Sequence, residues 1–268
     1  MMNALERRMV NILRELKEQH GALCVRAEFE AEGTKLEELL RLKEISMAAG
    51  LGLMLKIGGC ESIRDMLEAR LVGVDYLVAP MVESGYALQK YLLGVQKVFP
   101  PEERDGVEIL CNIETMTAVD HFDDMLTIRE RPVLQGVVVE RVDLCFSLGL
   151  TEEDINASEI SDIVGNVVRK AKDNGLVTII GGGVSAYSLP FFGSIGQQYL
   201  DRFETRKVCL DYGRAVENNP EKGILKALGF ELLWLRNKAA FYRKISLADD
   251  ERMNLIERRY WQEIDALI

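Results

Sequence analysis

Two carboxylates at predicted strand ends could bind a divalent metal ion. Glu114 directly follows the apolar stretch 108–113, and Asp143 closely follows the stretch 134–139. Hard cations such as Mg²⁺ prefer oxygen ligands, and a site with two carboxylates keeps coordination positions for substrate oxygens and water. Both residues also have simpler interpretations, because Glu114 could cap the helix that follows it and Asp143 could pair with Arg141.

One cationic and two further acidic side chains end other predicted strands. Lys56 lies in the stretch 51–57, where its ammonium group could stabilise an oxyanion. Glu28 and Glu30 follow the stretch 22–25 and are candidates for proton transfer. We expect only one of these two glutamates to face the interior of the fold. The alternatives are pairing of Lys56 with a strand-end acid and exposure of both glutamates to solvent.

Two more strand ends carry candidates for substrate binding. Gly182 and Gly183 belong to a glycine run after the stretch 176–180, where backbone N–H groups could bind a phosphate or carboxylate. A tight turn would explain the glycines equally well. Arg206 could hold the distal end of a substrate, or it could pair with Glu204.

The composition narrows the class of protein. The 268 residues carry a net charge of −10, which argues against a nucleic-acid binder with a broad basic surface. No apolar run is long enough to cross a bilayer. The five cysteines lack a zinc-site spacing, and both histidines, His20 and His121, fall in predicted helices. We therefore expect a cytoplasmic protein without a histidine-ligated zinc site.

Strand and helix patterns alternate along residues 1–214 and predict an α/β barrel of the TIM (β/α)8 type. Residues 1–20 have the spacing of an amphipathic helix. Alternation of this kind predicts parallel strands joined by crossover helices. Seven strands are clear and the eighth is irregular; the predicted strands lie at 22–25, 51–57, 74–79, 108–113, 134–139, 176–180 and within 199–210.

Residues 215–268 have no strand pattern. Leucines and aromatic residues recur at helical spacing, which predicts two or more helices. These helices should pack on the barrel or on a neighbouring subunit, so the segment is the expected interface of a homo-oligomer.

Four short motifs in a fixed order resemble the HpcH/HpaI aldolase and citrate lyase family. They are LKIGG at 55–59, VAPMVE at 78–83, IET at 113–115, and VDL at 142–144 with Leu148-Gly149. That family belongs to the pyruvate and phosphoenolpyruvate class of TIM barrels. The similarity extends from about residue 22 to residue 213.

The resemblance implies a Mg²⁺ or Mn²⁺ ion on Glu114 and Asp143, with a 2-oxo acid such as pyruvate completing its coordination. Lys56 falls where these aldolases usually have an arginine. A lysine keeps the charge but not the planar, bidentate geometry. Asn112 falls where a glutamine is common, and the resemblance implies that it contacts substrate.

The sequence departs from the family pattern at two places. Where the family often has a Glu-His pair, this chain has Glu28-Phe29-Glu30, so the base must be one of these glutamates, water or another group. Where the family has Gly-Pro before the metal-binding aspartate, this chain has Glu140-Arg141.

These observations favour a metal-dependent carbon–carbon lyase of the aldolase type, which joins a 2-oxo acid reversibly to an aldehyde through an enolate. An acyl-CoA lyase of the malyl or citryl type is the alternative enzyme, although no basic cluster for a nucleotide phosphate is evident. A third possibility is a barrel that binds 2-oxo acids without turnover and acts as a scaffold.

Overall fold

The computed structural model describes residues 1–267, so Ile268 of the predicted extension lies outside the described residues. Eight strands close into one barrel in chain order, which confirms the predicted α/β barrel. The strands are β1 Ala22–Glu28, β2 Gly52–Lys56, β3 Tyr76–Ala79, β4 Glu108–Ile113, β5 Gly136–Glu140, β6 Val177–Gly181, β7 Arg202–Glu204 and β8 Val208–Asp211.

Strand β8 runs against the direction of the other seven. Strands β1 to β7 pair in parallel, whereas β8 is antiparallel to both β7 and β1. The stretch in which one strand was predicted thus holds a hairpin of two strands. The connection between them has only three residues, too short for the crossover that parallel neighbours require. The prediction of parallel strands throughout is therefore wrong for β8.

Helices surround the barrel. They are α1 Ala4–His20, α2 Leu36–Ala49, α3 Ile63–Val72, α4 Gly85–Val98, α5 Pro101–Arg104, α6 Met116–Asp120, α7 Phe122–Thr127, α8 Arg141–Ser147, α9 Ser158–Asp173, α10 Leu189–Ile195, α11 Tyr212–Glu217 and α12 Pro220–Asp265. Short 3₁₀ turns lie at Arg131–Val133, Glu152–Asp154 and Ala186–Ser188. No helix within residues 1–267 combines the length and apolarity needed to span a membrane.

The C-terminal segment forms one long helix after the short α11, not the two or more helices predicted. Helix α12 has 46 residues, and its first half packs against α1. Residues 243–262 extend away from the barrel with exposed side chains. The sequence pattern could not reveal this continuity, because the helical spacing is the same in one helix as in two.

The inside of the barrel is layered, because alternate residues of each strand face the same side. A separate apolar cluster fills the middle and consists of Cys24, Met54, Val78, Leu110, Val138, Ile179 and Cys209. At the N-terminal ends of the strands, Arg202 forms ion pairs of 2.8 and 3.1 Å with Glu108. Two residues further along the strands from the apolar layer, the side chains that face the interior are polar, and they lie at the C-terminal ends of the strands.

Candidate active site at the barrel mouth

A cavity of about 380 Å³ lies at the C-terminal ends of the strands. Six of the predicted site residues line it: Glu28, Lys56, Asp143, Gly182, Gly183 and Arg206. Glu30, Asn112 and Glu114 lie outside its wall. Leu228 and Glu231 of α12 also line the cavity, so the C-terminal helix forms part of the barrel mouth.

Lys56 is a buried cation held between two glutamates. Its Nζ atom lies 3.6 Å from Oε2 of Glu28 and 3.9 Å from Oε2 of Glu30. Only one of the two glutamates faces the interior, as expected, because Glu28 is buried at the end of β1 whereas Glu30 follows the strand and keeps 45% of its side chain exposed. Burial alone would lower the pKa of Lys56, but Glu28, Glu140 and Glu114 raise it above its ordinary value. The lysine is therefore cationic at neutral pH.

Glu28 is surrounded by cations. Its Oε1 atom lies 3.3 Å from Nη2 of Arg26, and its Oε2 atom lies 3.7 Å from Nη2 of Arg206. Burial would raise the pKa of Glu28, but Arg26, Lys56 and Arg206 hold it below its usual range. A carboxylate with a lowered pKa is a weak base, which argues against Glu28 as the group that accepts a proton.

Arg206 does not form the predicted alternative pair with Glu204. Its Nε atom donates a hydrogen bond of 3.3 Å to Glu32 instead, in addition to its contact with Glu28. The connection between β7 and β8 carries Arg206 to the rim of the cavity, where about half of its side chain remains exposed. The side chain is thus available to an anionic ligand.

Three functional candidates were missed by sequence reasoning. Arg26, Glu140 and Glu204 form a buried cluster in which Nη2 of Arg26 lies 3.2 Å from Glu140 and 2.9 Å from Glu204. The alternation in β1 places Arg26 two residues before Glu28, on the same face. Nothing in the sequence, however, shows that β5 and β7 carry acids at the same level.

Glu114 is a buried carboxyl group held by two donors. Its Oε1 atom accepts a hydrogen bond of 2.6 Å from the Met81 N–H, and its Oε2 atom accepts one of 2.8 Å from Nδ2 of Asn112. Burial raises the pKa of Glu114 to about 7. The alternative role as a helix cap is wrong, because Thr115 is the residue whose side chain caps α6.

Asp143 lies on a helix, not on a strand end. Helix α8 begins at Arg141, immediately after β5, and places Asp143 in its first turn with an exposed side chain. Partial burial raises the pKa of Asp143 above its ordinary value. No ion pair joins Asp143 to Arg141 in residues 1–267, so the predicted alternative pairing is not observed.

Arg141 instead joins the loops beneath the cavity. It donates hydrogen bonds to the carbonyl oxygens of Gly181, Gly182 and Ile155 and to the side chains of Asn156 and Ser188. Its guanidinium group also stacks 4.8 Å from the Phe191 ring centre. Burial lowers the pKa of Arg141 to about 10, so the group remains charged. Arg141, which stands in place of the proline of the family's Gly-Pro pair, thus holds these loops together.

The turn at Gly182 and Gly183 requires glycine. Both residues have positive φ angles, 76° and 64°. A Cβ atom on Gly182 would lie 2.5 Å from the backbone nitrogen of Arg141. The turn geometry accounts for these glycines, and binding of an anion to their N–H groups stays a prediction.

Two features near the mouth bear on whether it could hold a divalent cation. The buried Oδ1 atom of Asn112, next to Glu114, has no hydrogen-bond partner among the described residues. Six carboxylates and only three cations line the cavity: Glu28, Glu140, Asp143, Glu152, Glu204 and Glu231, with Arg26, Lys56 and Arg206. Residues 1–267 contain no group of three or more acidic, histidine or cysteine ligands arranged around one point. A cation at the mouth would therefore depend on substrate and water for part of its coordination.

Fold and site together define an α/β barrel whose polar cavity lies where barrel enzymes bind their substrates. The fold is that of an HpcH/HpaI aldolase from Desulfitobacterium hafniense DCB-2, with a TM-score of 0.60, 15% identity, and 84% of this chain and 89% of that chain covered. An HpcH/HpaI aldolase/citrate lyase family protein from Burkholderia cenocepacia J2315 has a similar fold, with a TM-score of 0.58, 14% identity, and 88% of this chain and 99% of that chain covered.

Citrate synthase SbnG has the same fold, with a TM-score of 0.57, 13% identity, and 90% of this chain and 98% of that chain covered. No family model and no curated protein matches the sequence. The resemblance read from the sequence motifs is thus confirmed at the level of the fold.

Proposed function

We propose that this protein is a metal-dependent carbon–carbon lyase that joins a 2-oxo acid such as pyruvate to an aldehyde. The observation that carries the proposal is the position of Lys56 and Asp143 on one cavity at the C-terminal ends of the strands. Glu114 lies near enough to Lys56 for each to shift the pKa of the other. The fold shared with aldolases and a citrate synthase supports this class of reaction.

Glu114 and Asp143 would hold Mg²⁺ or Mn²⁺, with Asn112 beside Glu114. When bound, the ion would supply positive charge that stabilises an enolate next to a carboxylate. The excess of carboxylates around the cavity supports this dependence, because an anionic 2-oxo acid alone would be repelled. Lys56 would donate a charged hydrogen bond to the substrate oxygen, and Arg206 at the rim would bind the distal end.

Titration of oxalate, a mimic of the pyruvate enolate, tests the metal site. We expect calorimetry to detect oxalate binding with Mg²⁺ or Mn²⁺ and none without metal, and we expect Glu114→Gln to abolish it. Because the pKa of Glu114 is about 7, affinity should rise as the pH rises through 7 and the carboxyl group loses its proton.

Glu83→Gln is the matched control, because Glu83 is an acid near the end of a neighbouring strand that accepts a hydrogen bond from Thr115 and does not line the cavity. This variant should bind oxalate as the native protein does. Oxalate binding that is indifferent to metal and to Glu114 would contradict the proposal.

A barrel that binds without turnover is the second candidate. It is favoured by one observation: both oxygens of Glu114 already accept hydrogen bonds from the chain, which weakens Glu114 as a metal ligand. This candidate predicts oxalate binding without exchange of the methyl protons of pyruvate in deuterated water. We also propose a cytoplasmic location, which suits five cysteines that form no disulfide.

A further inference from the structure

Glu140 and Glu204 lie on β5 and β7, with only β6 between them. Glu140 is in register with Gly181 of β6, and the pairing of Ile180 with Phe203 brings Glu204 to the same level. A Cβ atom on Gly181 would lie 2.8 Å from Oε2 of Glu140. The glycine therefore leaves room for the Glu140 carboxyl group to lie over β6 on the side of Glu204.

Hydrogen-bond donors are too few for the acids around Arg26. The Nη2 atom of Arg26 carries two hydrogens, yet Glu28, Glu140 and Glu204 all lie within 3.3 Å of it. Of these contacts, the one to Glu140 has hydrogen-bond geometry. Both oxygens of Glu204 are buried and accept no hydrogen bond from residues 1–267. An ionised carboxylate in that state is costly, whereas a proton between the two acids would supply the missing hydrogen bond.

Burial also favours a proton on this pair. Three carboxylates, Glu28, Glu140 and Glu204, lie among the cations Arg26, Lys56 and Arg141, and none of these six residues is more than 7% exposed. Burial raises the pKa of Glu204 well above its usual range; Arg26 opposes this effect and Glu140 adds to it. The ionisable groups that face the pair are Arg26 and Glu28 on β1, Lys56 on β2, Glu114 after β4, Arg141 and Asp143 on α8 and Cys209 on β8.

We propose that Glu140 and Glu204 share one proton at neutral pH, and that Glu140 is the acid–base residue of the reaction in place of the absent histidine. Glu140 lines the cavity and would touch substrate, whereas Glu204 is 1% exposed and would act through Glu140. The acid–base part of this inference rests on the proposed function. The shared proton does not.

Over one condensation, the number of protons on Glu140 and Glu204 returns to its starting value. Glu140 takes a proton from the methyl group of the 2-oxo acid, and the electron pair of the C–H bond enters the enolate. The enolate carbon then forms a bond to the aldehyde carbon, and the electron pair of the carbonyl π bond moves to its oxygen. Glu140 returns the proton to that oxygen as a hydroxyl group. The pair begins and ends with one proton.

Infrared spectroscopy of the full chain tests the shared proton. The spectra are recorded on the Glu114→Gln variant, so that the carboxyl group of Glu114 does not contribute. At neutral pH we expect a carboxylic-acid C=O band that shifts in deuterated water and disappears when Glu204→Gln is added. Absence of this band, or its survival in the double variant, would overturn the shared proton.

Proton exchange tests the acid–base role. With Mg²⁺ or Mn²⁺ present, Glu140→Gln should slow deuterium exchange into the methyl group of pyruvate by about 100-fold or more, while oxalate binding persists. Gly181→Ala should also slow exchange, because its methyl group would displace the Glu140 carboxyl without removing a titratable group. Exchange at the native rate in Glu140→Gln would overturn the role.

The two proposals fail in different ways. If the native protein neither binds oxalate nor exchanges pyruvate protons, the proposed function and the acid–base role are both overturned. The infrared band then still decides the shared proton. If oxalate binds and pyruvate exchanges but Glu140→Gln has no effect, only the acid–base role is lost.

Discussion

At the scale of single residues, buried charge dominates the barrel mouth. Arg26 and Lys56 stand where a purely apolar barrel would continue its core, and each is neutralised by strand-end glutamates. Isolated ions in such positions would be unstable, so each charge depends on neighbours of the opposite charge. The same network contains two acids whose pKa values shift in opposite directions, because the pKa of Glu28 is lowered and that of Glu114 is raised.

Loss of Arg141 should destabilise the fold. We expect Arg141→Met to lower the free energy of unfolding by about 3 kcal/mol, because several buried carbonyl oxygens would lose their donor. Urea denaturation measures this difference. Arg129→Met, at an exposed arginine, is the control and should change stability little. Equal stability of the two variants would show that Arg141 does not hold the loops together.

At the scale of elements, α1 and α12 meet around a buried histidine. His20 ends α1, and both of its ring nitrogens are buried without a hydrogen-bond partner in residues 1–267. A Cβ atom on Gly223 of α12 would lie 3.0 Å from the His20 ring. The close approach of the two helices therefore requires both a glycine and an uncharged imidazole.

The stability of this junction should depend on pH. Burial lowers the pKa of His20 below its ordinary value of 6.5. The unfolded chain therefore binds the proton more readily than the folded protein does. The contribution of neutral His20 to stability is fully present above about pH 6.5, and it is lost as the pH falls through the lower pKa of the folded protein. As the pH is lowered through this range, we expect the melting temperature of the native protein to decrease and that of His20→Phe to decrease less.

His121→Gln is the control for this measurement, because His121 lies outside the junction, where its Nδ1 atom contacts the Thr117 carbonyl. Its melting temperature should follow the native curve. A native curve that is flat below pH 6.5 would contradict the assigned role of His20.

At the scale of the whole molecule, residues 243–262 in the second half of α12 have exposed side chains and pack against no other element of the described part of the chain. Residues 243–262 would extend for about 30 Å. They continue a series of exposed apolar side chains: Phe241, Ile245, Leu247, Met253, Leu255, Ile256, Tyr260 and Trp261. An isolated helix with such a surface is expected to associate, and a second copy of this chain is the partner predicted from the sequence.

Removal of residues 243–268 tests this association. We expect light scattering to show an oligomer for the full chain and a monomer for the truncated one. The melting temperature of the barrel should change little, because the first half of α12 still packs on α1. The double variant Ile256→Lys with Tyr260→Lys should reproduce the truncation. A monomeric full chain would contradict the prediction.

The sequence by itself determined the barrel and six of the residues that line the cavity at its mouth. Apolar stretches ending in Lys56, Glu28 and Gly182 identify strand ends, because strand periodicity and turn chemistry are local properties. The motifs around Glu114 and Asp143 led to the fold that the solved structures share.

Only the tertiary structure decided which strand ends face one another. The antiparallel course of β8, the single helix α12 and the approach of Glu140 to Glu204 across Gly181 depend on pairing between distant segments. Register and closure set those contacts, and neither is written in any one stretch of the chain. Burial likewise sets the pKa of Glu114 and Glu204, since it depends on what the rest of the molecule places around them.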